Sequence, residues 1–122
     1  MALQEFTKAL QSTKEIELTV TGRRTGRKVS HPMWFVQEGP TLYLLPVKGS
    51  DSEWYKNVLQ NPVVTLGANG VTWTGQATPI TDPAEVHEVV EKFRKKYGAG
   101  DVKKYYSKLD VAVKVSLEAA AQ

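Results

Sequence analysis

Apolar residues recur at two different periods along this chain, and each change of period marks a new element. Leu3, Phe6 and Leu10 are spaced three and four apart, which predicts a helix over about residues 3–11 that lays one stripe against the body of the protein. Ile16, Leu18 and Val20 then alternate with Glu17, Thr19 and Thr21, the period-two pattern of a half-buried strand. The alternation resumes at Lys28, with Val29, His31, Met33 and Phe35 on one side and Lys28, Ser30, Pro32, Trp34 and Val36 on the other. These two strands are expected to pair across the turn between them. A further turn at Glu38-Gly39-Pro40 leads into a segment in which Leu42 and Leu44 face one way and Tyr43, Leu45 and Val47 the other. Apolar residues on both faces predict a central strand, ending at Lys48.

Ser50-Asp51-Ser52-Glu53 has the capping-box spacing of a serine followed three residues later by glutamate, so a short helix is expected to start there. Trp54, Tyr55, Val58 and Leu59 give it an apolar side, and Asn61-Pro62 ends it because the residue before proline avoids the helical region. Val63 to Leu66 read as a strand, Gly67 to Gly70 as a turn, and Val71, Trp73, Gly75 and Ala77 as the inward face of the strand that follows. Asp82, Pro83 and Glu85 then form an acidic N-cap, a proline at the first helical position and a first-turn acid. The helix they start carries Val86, Val89, Val90, Phe93 and Tyr97 on one stripe, crowds Arg94, Lys95 and Lys96 into its last turn and stops at Gly98. Residues 101–108 add a turn or two, and Val111, Val113, Val115 and Leu117 mark a closing strand.

About six mostly antiparallel strands with short helices, only one of them long enough for a crossover, cannot build an alternating parallel sheet. The pattern predicts a mainly β fold, a small closed or nearly closed barrel with a groove at its rim. A length of 122 residues with 41% hydrophobic content suits one domain over residues 1–122, with the barrel over about 15–117. Absence of cysteine excludes disulfides and thiolate metal sites and points to the cytoplasm. No apolar run approaches the ~20 residues of a membrane span, so a transmembrane segment is not expected.

The net charge of +3 is mild, and the placement of the cations says more than their sum. Arg23, Arg24, Arg27 and Lys28 fall within six positions at the turn, with Gly22 and Gly26 bracketing the middle of the cluster. Such a turn can hold a phosphate or polycarboxylate tail while Pro32, Met33 and Trp34 face a flat apolar ring, or it can be a solvated hairpin. The two histidines, His31 and His87, have no metal-ligand spacing, and neither a G-x-S-x-G elbow nor a Walker motif is present.

The runs GRRTGRKVSHPMWFV, LYLLPVKG and WYKNVLQNP, the last followed by VVTL, resemble the deazaflavin-dependent nitroreductase family, whose members adopt the flavin-binding split β-barrel. The resemblance covers about residues 15–117. It implies an oxidoreductase that binds the deazaflavin coenzyme F-420 and passes its hydride to a small organic acceptor such as a nitro compound, quinone or enone. Arg24, Arg27 and Lys28 match the positions that hold the coenzyme's phosphate and glutamate tail. Pro32, Met33 and Trp34 match the segment beside the ring, Val47, Lys48 and Gly49 the loop after the third strand, and Trp54 and Asn57 the helix motif that closes the site. Tyr105 and Tyr106 resemble a tyrosine-containing segment on the substrate side. Two departures stand out: the loop between Lys48 and Trp54 is only GSDSE, and Val29 replaces a second arginine. FMN is the alternative cofactor. A non-catalytic barrel that holds an anionic ligand or single-stranded nucleic acid is the alternative class. A small-molecule substrate is the expected partner, with no nucleic acid, and the sequence leaves monomer and homodimer both open.

Overall fold

The computed structural model describes residues 2–117, and the side chains of residues 2 and 3, Leu3 among them, lie outside the described set. The helix α1 (Ala2–Gln11) leads into strands β1 (Glu15–Thr21) and β2 (Lys28–Trp34), then β3 (Val36–Glu38) and β4 (Thr41–Leu44). A 3-10 turn at Gly49–Asp51 precedes α2 (Glu53–Gln60), followed by β5 (Val63–Ala68), β6 (Val71–Ile80), α3 (Pro83–Tyr97), α4 (Ala99–Tyr105) and β7 (Ala112–Ser116). The strands form one sheet in the order β2-β1-β5-β6-β7-β4-β3, and every pairing is antiparallel.

The two outermost strands, β2 and β3, are consecutive in the chain and separated by Phe35 alone. A sheet whose opposite edges are joined by one residue has to curl until those edges meet, and the result is a split barrel. The stretch expected as one strand from Lys28 to Val36 is thus two strands broken at Phe35, which makes seven strands where the periodicity gave six. Phe35 is held on three sides. Its N–H donates to the Tyr97 hydroxyl at 3.1 Å, and its carbonyl accepts from the Lys96 ammonium at 2.7 Å. The Tyr97 hydroxyl lies 2.7 Å from the Lys14 carbonyl and 2.9 Å from that of Phe35, so it donates to one or the other. The Lys96 ammonium also stands 3.6 Å above the Phe35 ring.

Period-two alternation sorts the side chains into two cores. Ile16, Leu18, Val20, Met33, Phe35, Leu42, Leu44, Val64, Leu66, Val113 and Val115 point inside the curl, where Phe6 and Leu10 of α1 and Trp54, Tyr55 and Val58 of α2 join them. Val36, Leu45 and Ala112 point outward into a second core covered by α3 and α4 through Val86, Val89, Val90, Phe93, Val102 and Tyr106. The apolar residues on both faces of the Leu42–Val47 segment therefore serve one core each. The strand itself ends at Leu44, before Lys48.

Local signals held where their partners are local. Asp82 caps α3 by accepting from the Glu85 N–H at 3.1 Å, and Pro83 follows it. The β5–β6 hairpin turns on Asn69 and Gly70, both at positive φ (49° and 81°), as a tight two-residue hairpin requires; the turn is shorter than the expected Gly67 to Gly70. The capping box did not form. Ser52 is the N-cap of α2, without a side-chain cap bond, because its hydroxyl accepts from the Lys48 N–H at 2.9 Å, while Ser50 is drawn away by Asp110. Leu59, expected on the apolar side of α2, is 53% exposed.

Replacing Tyr97 with phenylalanine leaves the ring packing intact and strands the Phe35 N–H. We expect a loss of about 1 to 3 kcal/mol, seen as a lower urea midpoint with an unchanged slope.

Candidate functional site

A pocket of about 410 Å³ opens where edge strand β2, the loop after β4, the start of α2 and the end of α4 meet. Its volume lies within the usual range of small-molecule sites. Strand β2 contributes His31, Pro32 and Met33; the loop contributes Val47, Lys48, Asp51 and Ser52; the helices contribute Glu53, Trp54 and Tyr105. Six residues singled out in the sequence, Pro32, Met33, Val47, Lys48, Trp54 and Tyr105, thus share one cavity. Trp54 is 6% exposed and belongs to the inner core as well as to the pocket wall.

The loop that carries Val47 and Lys48 is held by the segment before β7. The Val47 carbonyl accepts from the N–H of Ser107 at 2.8 Å and from its hydroxyl at 3.1 Å. The Ser50 N–H and hydroxyl donate to Asp110 at 2.9 and 2.5 Å, and Lys108 reaches Asp51 at 3.1 Å. Burial works against the Asp110 carboxylate, but the two bonds from Ser50 and the charge of Lys108 hold its pKa below the ordinary value. The carboxylate is therefore charged, and the loop pinned, at neutral pH; the contribution fades only as acid protonates Asp110. Gly49 lies buried at the centre of this lock with φ of 56°, and a Cβ there would stand 2.1 Å from an Asp110 carboxylate oxygen.

Other sequence candidates fall elsewhere. Trp34 turns to the outer core, its ring stacked 4.3 Å from Tyr97 and tilted 4.6 Å from Tyr105. It does not line the pocket, but it backs Tyr105, which does and is 42% exposed. Tyr106 is buried against Phe93, Trp34 and Tyr105, and its hydroxyl has no hydrogen-bond partner among the described residues. Burial pushes its phenol far above the usual tyrosine range. Asn57 is buried, and its carboxamide oxygen accepts from the Arg23 N–H at 3.1 Å and the Arg23 guanidinium at 2.8 Å. Arg24, Arg27 and Lys28 are exposed along the β1–β2 turn.

The pocket acids are already paired. Glu53 meets Arg23 at 2.8 Å and Lys56 at 3.6 Å, and the Arg23 hydrogen bond and charge hold its carboxyl below the ordinary value. Asp51 is bound by Lys108. The side chains of Arg24, Arg27 and Lys48 have neither ion pair nor hydrogen bond among the described residues, and Lys28 only touches the Thr21 hydroxyl. The site is thus an apolar, partly aromatic wall with uncommitted positive charge beside it, the donor set that a ring with an anionic tail requires.

Residues 3–118 match the F420H(2)-dependent quinone reductase family. The chain belongs to this family. It is a deazaflavin-dependent oxidoreductase, and its cofactor is coenzyme F-420. Solved structures agree on the fold: an F420-H2 dependent reductase superimposes with a TM-score of 0.66 at 20% identity, covering 84% of this chain and 94% of its own. A structure described as a domain-swapped dimer gives 0.65 at 22% identity over 93% and 96%. The heme storage protein HutZ of Vibrio cholerae gives 0.71 at 17% identity over 96% and 90%. No curated protein matches the chain.

Beyond the residues the sequence had marked, the pocket of this reductase family member uses His31, Asp51, Ser52 and Glu53. The first shares its strand face with Met33, and the other three lie between Lys48 and Trp54, so chain continuity was the available signal. Arg23 was marked only as one of the clustered cations, and its tie to α2 left no signal because its partner Asn57 is 34 residues away. Gly49→Ala is expected to lose about 2 to 4 kcal/mol through left-handed strain and the clash with Asp110, measured by thermal unfolding.

Proposed function

We propose that this protein reduces a quinone-type acceptor with the deazaflavin ring held against Pro32, Met33 and Trp54 and the anionic tail on Arg24, Arg27, Lys28 and Lys48. The observation that supports the reading is an apolar wall built from four elements with Lys48 in its lining and Arg24, Arg27 and Lys28 along the β1–β2 turn, cations that pair with no acid among the described residues. When bound, the reduced deazaflavin supplies a hydride, and a quinone that takes it up with a proton becomes a hydroquinone.

The protein's own part is binding, orientation and exclusion of water. Met33, Val47 and Trp54 present apolar surface that keeps water from one side of the cavity. Tyr105 offers a phenol O–H at the rim, able to donate to the oxygen on which negative charge develops in the acceptor. Tyr106 and Trp34 hold Tyr105 from behind, at ring-centroid distances of 5.0 and 4.6 Å. Buried as it is, Tyr106 acts through Tyr105. A larger concavity of about 720 Å³ beside α3, lined by Glu38, Glu88, Glu91, Lys92 and Lys95 among others, mixes both signs of charge and lacks such an apolar wall.

The test is a titration of the purified protein with coenzyme F-420 and with FMN, read by tryptophan quenching. The deazaflavin is expected to bind more tightly, and preference for FMN would overturn the assignment. Replacing Arg24 and Arg27 together by alanine is expected to weaken deazaflavin binding by about 2 to 4 kcal/mol with little effect on folding. An unchanged affinity at low salt would reduce the turn to a solubilising feature. Trp54 is shared between core and pocket, so Trp54→Ala is expected to cost about 3 to 5 kcal/mol of stability. Trp54→Phe should keep most of that stability and still bind more weakly, which a denaturation curve paired with the same titration separates.

A further inference from the structure

The basic turn contains four cations, but one of them is not available to a ligand. Arg23 spends its guanidinium on α2: one nitrogen donates to the Asn57 side-chain oxygen at 2.8 Å and lies 3.4 Å from the Glu53 carbonyl, and the other meets the Glu53 carboxylate at 2.8 Å. The Arg23 N–H donates to the same Asn57 oxygen at 3.1 Å. Inside the turn, the Gly22 N–H donates to the Arg27 carbonyl at 2.7 Å and the Gly26 N–H to the Gly22 carbonyl at 2.9 Å. A compact turn is thereby fastened at a single residue to the helix that also carries Trp54, with Asn57 buried at 7% exposure.

We propose that Arg23 and Asn57 are positioning residues, a clasp that sets the free cations Arg24 and Arg27 at a fixed offset from the Trp54 wall and so matches the site to a ring bearing an anionic tail. The proposal rests on the function proposed above. Its physical basis is preorganisation: a charged side chain on a wandering turn has to be ordered at the moment of binding, whereas a fastened turn has already lost that freedom. Geometry separates this role from that of another tail cation. A planar guanidinium reaches Asn57 and Glu53 together, whereas a lysine ammonium supplies the same charge from one point.

The experiment measures the dissociation constants of two probes by tryptophan quenching: the intact coenzyme, and the same deazaflavin lacking its phosphate and glutamates. Wild type is compared with Arg23→Lys, Asn57→Ala and the double variant, with thermal unfolding as the check on folding. The clasp predicts that Arg23→Lys, which preserves charge, and Asn57→Ala, which removes none, each weaken the intact coenzyme about tenfold, and that the double variant is no worse than either. It also predicts that none of them changes affinity for the tail-less probe. Wild-type affinity for the intact coenzyme in Arg23→Lys would make Arg23 one more tail cation and overturn the proposal. Equal losses for both probes would also overturn it, because the pocket itself would then have been disturbed. Should wild type bind both probes equally, the tail assignment of the proposed function is what fails, and the clasp fails with it.

Discussion

The architecture depends on one short connection. Phe35 alone separates the strands at the two ends of the sheet, so the sheet cannot lie open, and the last turn of α3 holds the connection in place through Tyr97 and Lys96. Two demands meet at that residue. Its ring has to enter the inner core while its backbone, belonging to neither strand, needs partners for a buried N–H and carbonyl. The Tyr97 hydroxyl accepts from the Phe35 N–H and gives its one proton to the carbonyl of Phe35 or of Lys14 before β1, while Lys96 serves the Phe35 carbonyl. The outer helix layer is therefore part of what closes the barrel as well as a cover for its outer face.

The pocket follows from that closure. Curling brings the loop after β4 beside β2, and α2 fills the open side. The chain then keeps the walls still with contacts far apart in sequence: Ser107 and Asp110 on the Val47–Ser50 loop, and Arg23 on α2. Charge is divided in the same way. Acids near the cavity are neutralised by Arg23, Lys56 and Lys108, and the cations left over face outward where an anion can reach them. An acidic side chain without such a partner would compete with any anionic ligand for the same field.

Legibility in the sequence followed the range of the interactions. Strand alternation, the two-faced Leu42–Val47 segment and the Asp82-Pro83 helix start were readable because each is decided by neighbours within a few residues. The capping box at Ser50 misled because a hydroxyl with a good local use was taken by Asp110, 60 positions on. Trp34 shows the same limit in another form: its strand face was right, but only the placement of α3 and α4 reveals that Tyr97 and Tyr105 receive it. The basic turn was evident as a charge cluster. Which arginine is structural and which are free was decided by Asn57, a helix residue that periodicity treats as merely polar. The number of strands was miscounted by one for a reason of its own, since a break of one residue leaves the period of two undisturbed.

The position of β7 in the sheet has a consequence for how the protein comes to be made. Strand β7, which follows the other six in the chain, lies between β6 and β4, so each of those strands has an unpaired edge for as long as β7 is missing. No shorter nascent chain can complete the curl, and Val113 and Val115 are needed to fill the inner core. The residues just before β7 are also those that pin the pocket loop. Folding of this barrel thus waits for β7 to leave the ribosome, and until then the half-made sheet presents edges open to pairing with other chains. The cell's exposure to misassembly is set by the time between the emergence of β4 and that of β7, a quantity governed by translation speed and chaperone access instead of by the stability of the finished protein.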